Sequence, residues 1–388
     1  MSACVKKILW IRPDALGDAV LSASMLPAIT QHFAPSKLIV VCQHHATDFY
    51  KSCPYVDEII SCNKNLFMLH RPYRSSILDK IRCHSIDIVF NTMFSRELAF
   101  DCCAFQCGAP MSVAFKINHP RGRWDVPFRY NHGYTRLIDS PGHWKLELER
   151  YKDFLDALGI THDVLAPHIW INGDDEVFAD RIFASHKLIP NKTFAFFAGA
   201  QSLSRVYQQY DVALNALPSD DVTIVALGTN NDAMVNERAL AHVKHRVINL
   251  SGMTTIRQAA AIIKRCRLAL GAETGLAHVA CAVGTPNIII LGGGHFGRFM
   301  PYSPLTAAVV APHACYRCDW RCKDGDARCV QSIHPHVVAY AVKRVLECRD
   351  SHAKPLLVMQ KNCAGALHLD REEYDMVEIA TTAESVGS

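Results

Sequence analysis

A short apolar run, Ile8-Leu-Trp-Ile11, reads as a buried strand and is followed by the polar stretch Arg12-Pro-Asp-Ala-Leu-Gly-Asp18. From Ala19 to about Phe33 apolar residues return at helical spacing, Pro35 stops the helix, and Leu38-Ile-Val-Val-Cys42 is the next strand. Strand, helix, strand in that order builds a parallel sheet. Further strand patterns lie at 56–60 and 86–90, so the chain up to about 165 predicts a doubly wound α/β domain. The pattern breaks over 165–190, at Ala166-Pro167, Asn172-Gly173, a short acidic helix and Pro190-Asn191. Alternation then resumes, with strands expected at 194–198, 222–227, 247–250, 268–270, 287–291 and 307–311 and a helix starting near Pro335. Two similar α/β halves with a cleft between them are the expected architecture. No clear pattern appears after about 350.

Three segments carry candidate chemistry. In Leu268-Ala-Leu-Gly-Ala-Glu-Thr-Gly-Leu-Ala-His278, a strand ends near Gly271 and Thr274 can cap a helix from Gly275 to Val283, which Gly284 and Pro286 close. The free amides and positive dipole end of such a helix form an anion site. Glu273 beside it suits sugar hydroxyls, and His278 lies on the same helix end; an ordinary helix start with a favourable acid is the plain alternative. Leu16-Gly17-Asp18 occupies the turn after the first strand, where open α/β folds bind ligands. Asp18 there is either a general base or a helix cap. The turn lacks G-x-G-x-x-G, which argues against NAD or FAD. In Phe197-Ala-Gly-Ala-Gln-Ser-Leu-Ser-Arg205, a small-residue loop carries an arginine whose planar fork suits phosphate, although a surface position explains it equally.

Composition narrows the picture. Of 388 residues 49% are hydrophobic and 20% charged, enough for two cores, and 41 basic against 37 acidic residues leave a net charge of +4. That balance is not that of a dedicated nucleic-acid binder. No apolar run approaches the ~18 residues of a membrane span, and the N-terminus lacks a signal-peptide core, so a cytoplasmic protein is expected. Residues 116–136 are locally basic and aromatic, with Arg121 and Arg123 at their centre. They predict a long loop, either plainly solvated or a docking surface for an anionic, sugar-bearing partner. Among 16 cysteines, Cys315, Cys318, Cys322 and Cys329 crowd into 15 residues. In a reducing compartment that favours a structural Zn or Fe site, with disulfides or free thiols as the other readings.

Together these motifs, in order and over about 7–346, resemble glycosyltransferase family 9, the ADP-heptose:lipopolysaccharide heptosyltransferases. Ile8-Leu-Trp-Ile-Arg-Pro-Asp-Ala-Leu-Gly-Asp-Ala-Val20 looks like the family's opening motif. Pro27, Pro54-Tyr-Val-Asp-Glu-Ile-Ile60, Val247-Ile-Asn-Leu-Ser-Gly252, Glu273-Thr-Gly-Leu-Ala-His278 and Gly284-Thr-Pro286 follow in step. The resemblance implies a GT-B fold of two Rossmann-like domains and inverting transfer with no obligatory catalytic metal. The expected division is 1–172 on the acceptor side, 173–349 for the nucleotide sugar with the Cys-rich loop 315–329 and a returning helix, and a tail at 350–388.

By the same resemblance Asp18 falls on the proposed general base, and Arg12 and Gly17 on the acceptor side. Arg205 falls where the family usually has a lysine on donor phosphate, Thr274 and Gly275 on the diphosphate turn, and Asp232 near a ribose contact. Glu273 replaces an aspartate that holds sugar hydroxyls. Gly292-Gly-Gly-His-Phe-Gly-Arg-Phe-Met-Pro-Tyr302 replaces a shorter turn, which brings Arg298 and His295 toward the donor. The implied partners are a nucleotide-diphosphate sugar, ADP-heptose first, and an anionic glycolipid or other glycan, with peripheral contact at the inner face of a membrane. A protein acceptor, a nucleotide-sugar epimerase and a non-catalytic nucleotide-sugar-binding protein are the competing readings.

Overall fold

A computed structural model describes residues 5–117, 128–217, 221–322, 325–347, 353–361 and 373–379. The chain divides into two compact units, Met1–Trp170 and Ile171–Ser388.

The first unit is built on β1 (Lys6–Ile11), β2 (Ser36–Gln43), β3 (Glu58–Cys62), β4 (Ile88–Asn91), β5 (Met111–Phe115) and β6 (Arg136–Ile138). They form one parallel sheet in the order β3-β2-β1-β4-β5-β6. Leu9 and Ile11 of β1 share a core with Ile39 and Val41 of β2 and Val89 of β4. Burying each such side chain stabilises the unit by roughly 1.5–3 kcal/mol. The expected helix after β1 is two helices, Leu16–Ser22 and Leu26–His32, joined by a 3-10 turn at Ala23–Met25. Pro27 sits in the first turn of the second, where its missing N–H breaks no helical bond.

The strand order reverses direction between β1 and β4, and such switch points open the crevice in which α/β sheets bind ligands. Beside it a buried ion pair, Arg96 Nη2 to Asp101 Oδ2 at 2.8 Å, is completed by Tyr134 and Asn91, which both donate to Asp101. The region expected as a continuous loop over 116–136 contains a 3-10 turn, Phe128–Gly133, and the short strand β6. Arg121 and Arg123 lie outside the described residues.

The second unit contains β7 (Thr193–Phe197), β8 (Thr223–Ala226), β9 (Arg246–Asn249), β10 (Leu268–Ala272), β11 (Asn287–Ile290) and β12 (Thr306–Val310). To these are added β13 (Leu356–Gln360) and β14 (Asp375–Ile379), in a parallel sheet of order β14-β13-β12-β11-β10-β7-β8-β9. The segment expected as a patternless tail thus supplies two strands. The reason is local: Leu356-Leu-Val-Met is apolar enough to bury against β12, and the short apolar stretch gave no period to read. The helix near Pro335 is Pro335–Glu347 and packs over β11, β12 and β13. The acidic helix is Gly173–Ser185, opened by a reciprocal Asn172–Asp175 capping box. In this sheet the order turns between β7 and β10, so the loops after those two strands edge the switch point.

Candidate active site

In the first unit the loop after β1 turns Arg12 inward to 1% exposure. Its Nη1 donates to Thr92 O at 2.7 Å, just past β4, and its Nη2 donates to Tyr151 Oη at 2.6 Å. The same Nη2 stands 3.1 Å from Asp14 Oδ2 and 3.6 Å from Asp18 Oδ1. One guanidinium, fixed from the other side of the switch point, therefore aligns two carboxylates. Asp18 lies in the first turn of helix Leu16–Ser22, three residues after the N-cap Ala15. Gly17 beside it is buried. Sequence reading did not single out Asp14. Burial pushes its carboxyl up to about 8; Arg12 pulls it down and Asp18 adds to the rise. The signal available was a second acid placed between Arg12 and Asp18.

In the second unit β10 leads into Glu273, Thr274 and the eight-residue helix Gly275–Ala282. Gly271 must be glycine because a Cβ there would meet Phe197 of β7. Thr274 takes the N-cap position, but its hydroxyl makes no capping bond, and the helix ends one residue before Val283. The Glu273 side chain is only 6% accessible, with Oε2 hydrogen-bonded to His295 Nδ1 and Oε1 3.5 Å from His278 Nε2. Burial alone would raise this carboxyl; His295 and His278 hold it down at about 2. On its other side His278 Nδ1 lies 2.9 Å from Tyr302 Oη, which fixes the ring in place. His295 is more exposed than Glu273, with side chains 23% and 6% accessible, so the imidazole is the outward face of the pair.

Arg205 follows β7 in a 3-10 turn, Leu203–Arg205, and its guanidinium lies 4.0 Å from the centre of the Trp320 ring. Burial lowers its pKa, and Glu273 opposes that, so the two charges feel one another. Asp232 caps its own turn by accepting from Thr229 N and Oγ1 at 2.7 Å, and it stands against Gly199 in the loop after β7. Arg298 is buried, its guanidinium 4.7 Å from the Phe299 ring. The structure thus brings Arg205, Glu273, His278 and His295 together around the second switch point, with Asp232 at its rim.

Cys315, Cys318, Cys322 and Cys329 are all free thiols. Cys322 is raised by burial and by Cys318, and Cys329 to about 11 by burial, with the other three adding to the rise. As soft, mutually interacting donors they have the chemistry of a structural Zn or Fe site. Among the described residues no group of three or more His, Cys, Asp or Glu is arranged to hold a metal ion. No helix among them is long and apolar enough to cross a membrane.

The family model "Glycosyltransferase family 9 (heptosyltransferase)" matches residues 121–324. Lipopolysaccharide heptosyltransferase 2 of Escherichia coli K12 is 24% identical over 358 residues, covering 88% of this chain and 97% of the relative. Among solved structures, the family 9 glycosyl transferase of Veillonella parvula DSM 2008 superposes with a TM-score of 0.73 at 17% identity, over 89% of this chain and 99% of that one. The E. coli ADP-heptose lps heptosyltransferase II gives 0.68 at 18% identity, over 88% and 98%. These structures share the two-sheet α/β GT-B fold, and the family match covers more than half of the sequence. The chain belongs to glycosyltransferase family 9 and is a glycosyltransferase.

Proposed function

We propose that the protein transfers a heptose or closely related sugar, with inversion, from ADP-heptose to a hydroxyl of a lipopolysaccharide-type glycolipid on the cytoplasmic side of a membrane. The names of the relatives supply the donor and acceptor class. The observation that carries the reading is that a carboxylate suited to a base and a cation suited to a diphosphate each sit at a switch point.

Asp18 accepts the proton of the acceptor hydroxyl as that oxygen attacks the anomeric carbon opposite the diphosphate. Arg12, buried and bonded through both Nη atoms, orients Asp18 and Asp14 rather than meeting the acceptor. Arg205 and the amides at Gly275 take up the charge that develops on the leaving diphosphate. Glu273, its oxygens engaged by two imidazoles, presents His295 to the donor sugar, with Arg298 and Asp232 as flanking donor contacts. The Arg121–Arg123 segment is the candidate acceptor-side contact. None of these steps uses the four cysteines; their structural-metal role rests on spacing and thiol chemistry, and elemental analysis of protein purified without added metal tests it.

The deciding experiment is calorimetric binding of ADP, UDP, GDP and CDP, free and sugar-linked, to wild type and Glu273→Ala. Selective ADP binding, tightened by heptose and weakened by the substitution, is expected. Preference for another nucleotide would overturn the donor assignment.

A further inference from the structure

The cysteine-rich segment carries Trp320 between Cys318 and Cys322. The Trp320 ring lies under the Arg205 guanidinium at 4.0 Å and meets the His295 ring edge-to-face at 5.4 Å. Arg205 and His295 come from loops after different strands, β7 and β11, so Trp320 is the piece that joins them.

Three features show that this position is held against a cost. Gly292 and Gly294 leave room for the indole: a Cβ at either would run into the Trp320 ring, and one at Gly293 would lie 2.6 Å from Tyr316 Cδ2. Arg317, Asp319 and Trp320 have φ of 67°, 53° and 59°, the left-handed region that side chains disfavour. The indole Nε1 is buried with no hydrogen-bond acceptor among the described residues. Strained backbone and an unmade bond of this kind persist only where the surroundings impose them, and they gather at functional sites. The segment is tied down over its glycine partner by Arg317 N donating to Gly293 O at 2.9 Å, Tyr316 Oη donating to Leu291 O at 2.8 Å, and Gly293 N donating to Cys329 Sγ at 3.3 Å.

We propose that Trp320 is a positioning residue of the donor site: carried in by the cysteine-rich loop, it holds the Arg205 guanidinium and the His295 ring where the donor diphosphate and sugar are met. This rests on the donor-site reading of Arg205. The cysteine-rich loop is then a wall of the nucleotide site and not only a fastening at the edge of the fold.

The test is calorimetric binding of ADP to wild type, Arg205→Ala, Trp320→Leu, Trp320→Phe and the Arg205→Ala/Trp320→Leu double variant, with thermal unfolding of each. Loss of a cation–π support predicts roughly tenfold weaker ADP binding in Trp320→Leu, with most of it restored in Trp320→Phe, which keeps a ring face. The double variant should bind no more weakly than Arg205→Ala alone by more than about twofold, since the two act through one contact. Full additivity, or unchanged affinity in Trp320→Leu while Arg205→Ala is weakened, overturns the inference alone. Unchanged affinity in Arg205→Ala overturns the donor-site reading beneath it. Should Trp320→Leu not fold, Gly294→Ala pushes the indole from the other side. It should weaken ADP binding severalfold, and unchanged affinity there counts against the inference.

Discussion

The carboxylate of Asp18 lies 3.6 Å from the guanidinium of Arg12. That guanidinium is anchored to Thr92, just past β4, and to Tyr151 of the helix Glu147–Leu158, so the acid is aimed by groups from two other parts of the unit. If Asp18 is the base, Asp18→Asn keeps the shape and removes the function. We expect turnover of an ADP-heptose donor to fall by about 10²-fold or more, with ADP affinity within a factor of two of wild type. Steady-state rates and calorimetry on the same preparation check this.

Arg12→Lys retains a charge but not the fork. A single ammonium cannot reach Thr92 O and Tyr151 Oη while also facing Asp14 and Asp18. Leaving buried groups unsatisfied costs about 1–3 kcal/mol, so the urea midpoint should drop accordingly. Turnover should fall with it, because the base loses its aim.

Asp14 gives a pH dependence of unusual sign for an acid. Its folded pKa, about 8, lies above the ordinary 3.8, so between these values the folded state holds a proton that the unfolded state has lost. Its contribution therefore becomes less favourable as pH rises from about 4 to about 8, by at most about 1.4 kcal/mol per pH unit. Urea unfolding of wild type and Asp14→Asn at several pH values should show a falling slope that the neutral variant lacks.

Glu273 works in the opposite direction. Its folded pKa of about 2 lies below the ordinary 4.5, so its stabilisation is complete above about 4.5 and is lost as pH falls toward 2. Glu273→Gln should be less stable than wild type by about 2–3 kcal/mol at neutral pH, and the two curves should converge in acid.

The strands that matter most to the site were legible because they are dense apolar runs between turn residues: Ile8–Ile11 in β1 and Asn287–Ile290 in β11 are examples. β6 was not, because three residues inside a basic, glycine-rich stretch carry no period. β13 and β14 were not, because two isolated five-residue strands are too short to show a period. Asp18, Arg205 and Glu273 could be named from motif order. Asp14 and Trp320 could not: the first matters through the burial of Arg12, the second through a meeting between residues 292–294 and 320 that only folding creates. Three consecutive glycines were the visible trace of that meeting, since a run without side chains implies something bulky laid against it.

Both groups of working side chains hang from interior strands of their sheets, β1 with β4 in one and β7, β10 and β11 in the other. Amides there are paired on both edges and exchange with solvent only when a whole unit opens, whereas the loops just beyond them exchange through small local excursions. Ligands held at these edges can therefore slow deuterium uptake over 12–18 in the first unit, and over 199–205, 273–275 and 292–298 in the second, without altering the strands a few residues away. The frame spends none of its own order when the site is filled, and the entropy cost of binding is confined to four short stretches of backbone.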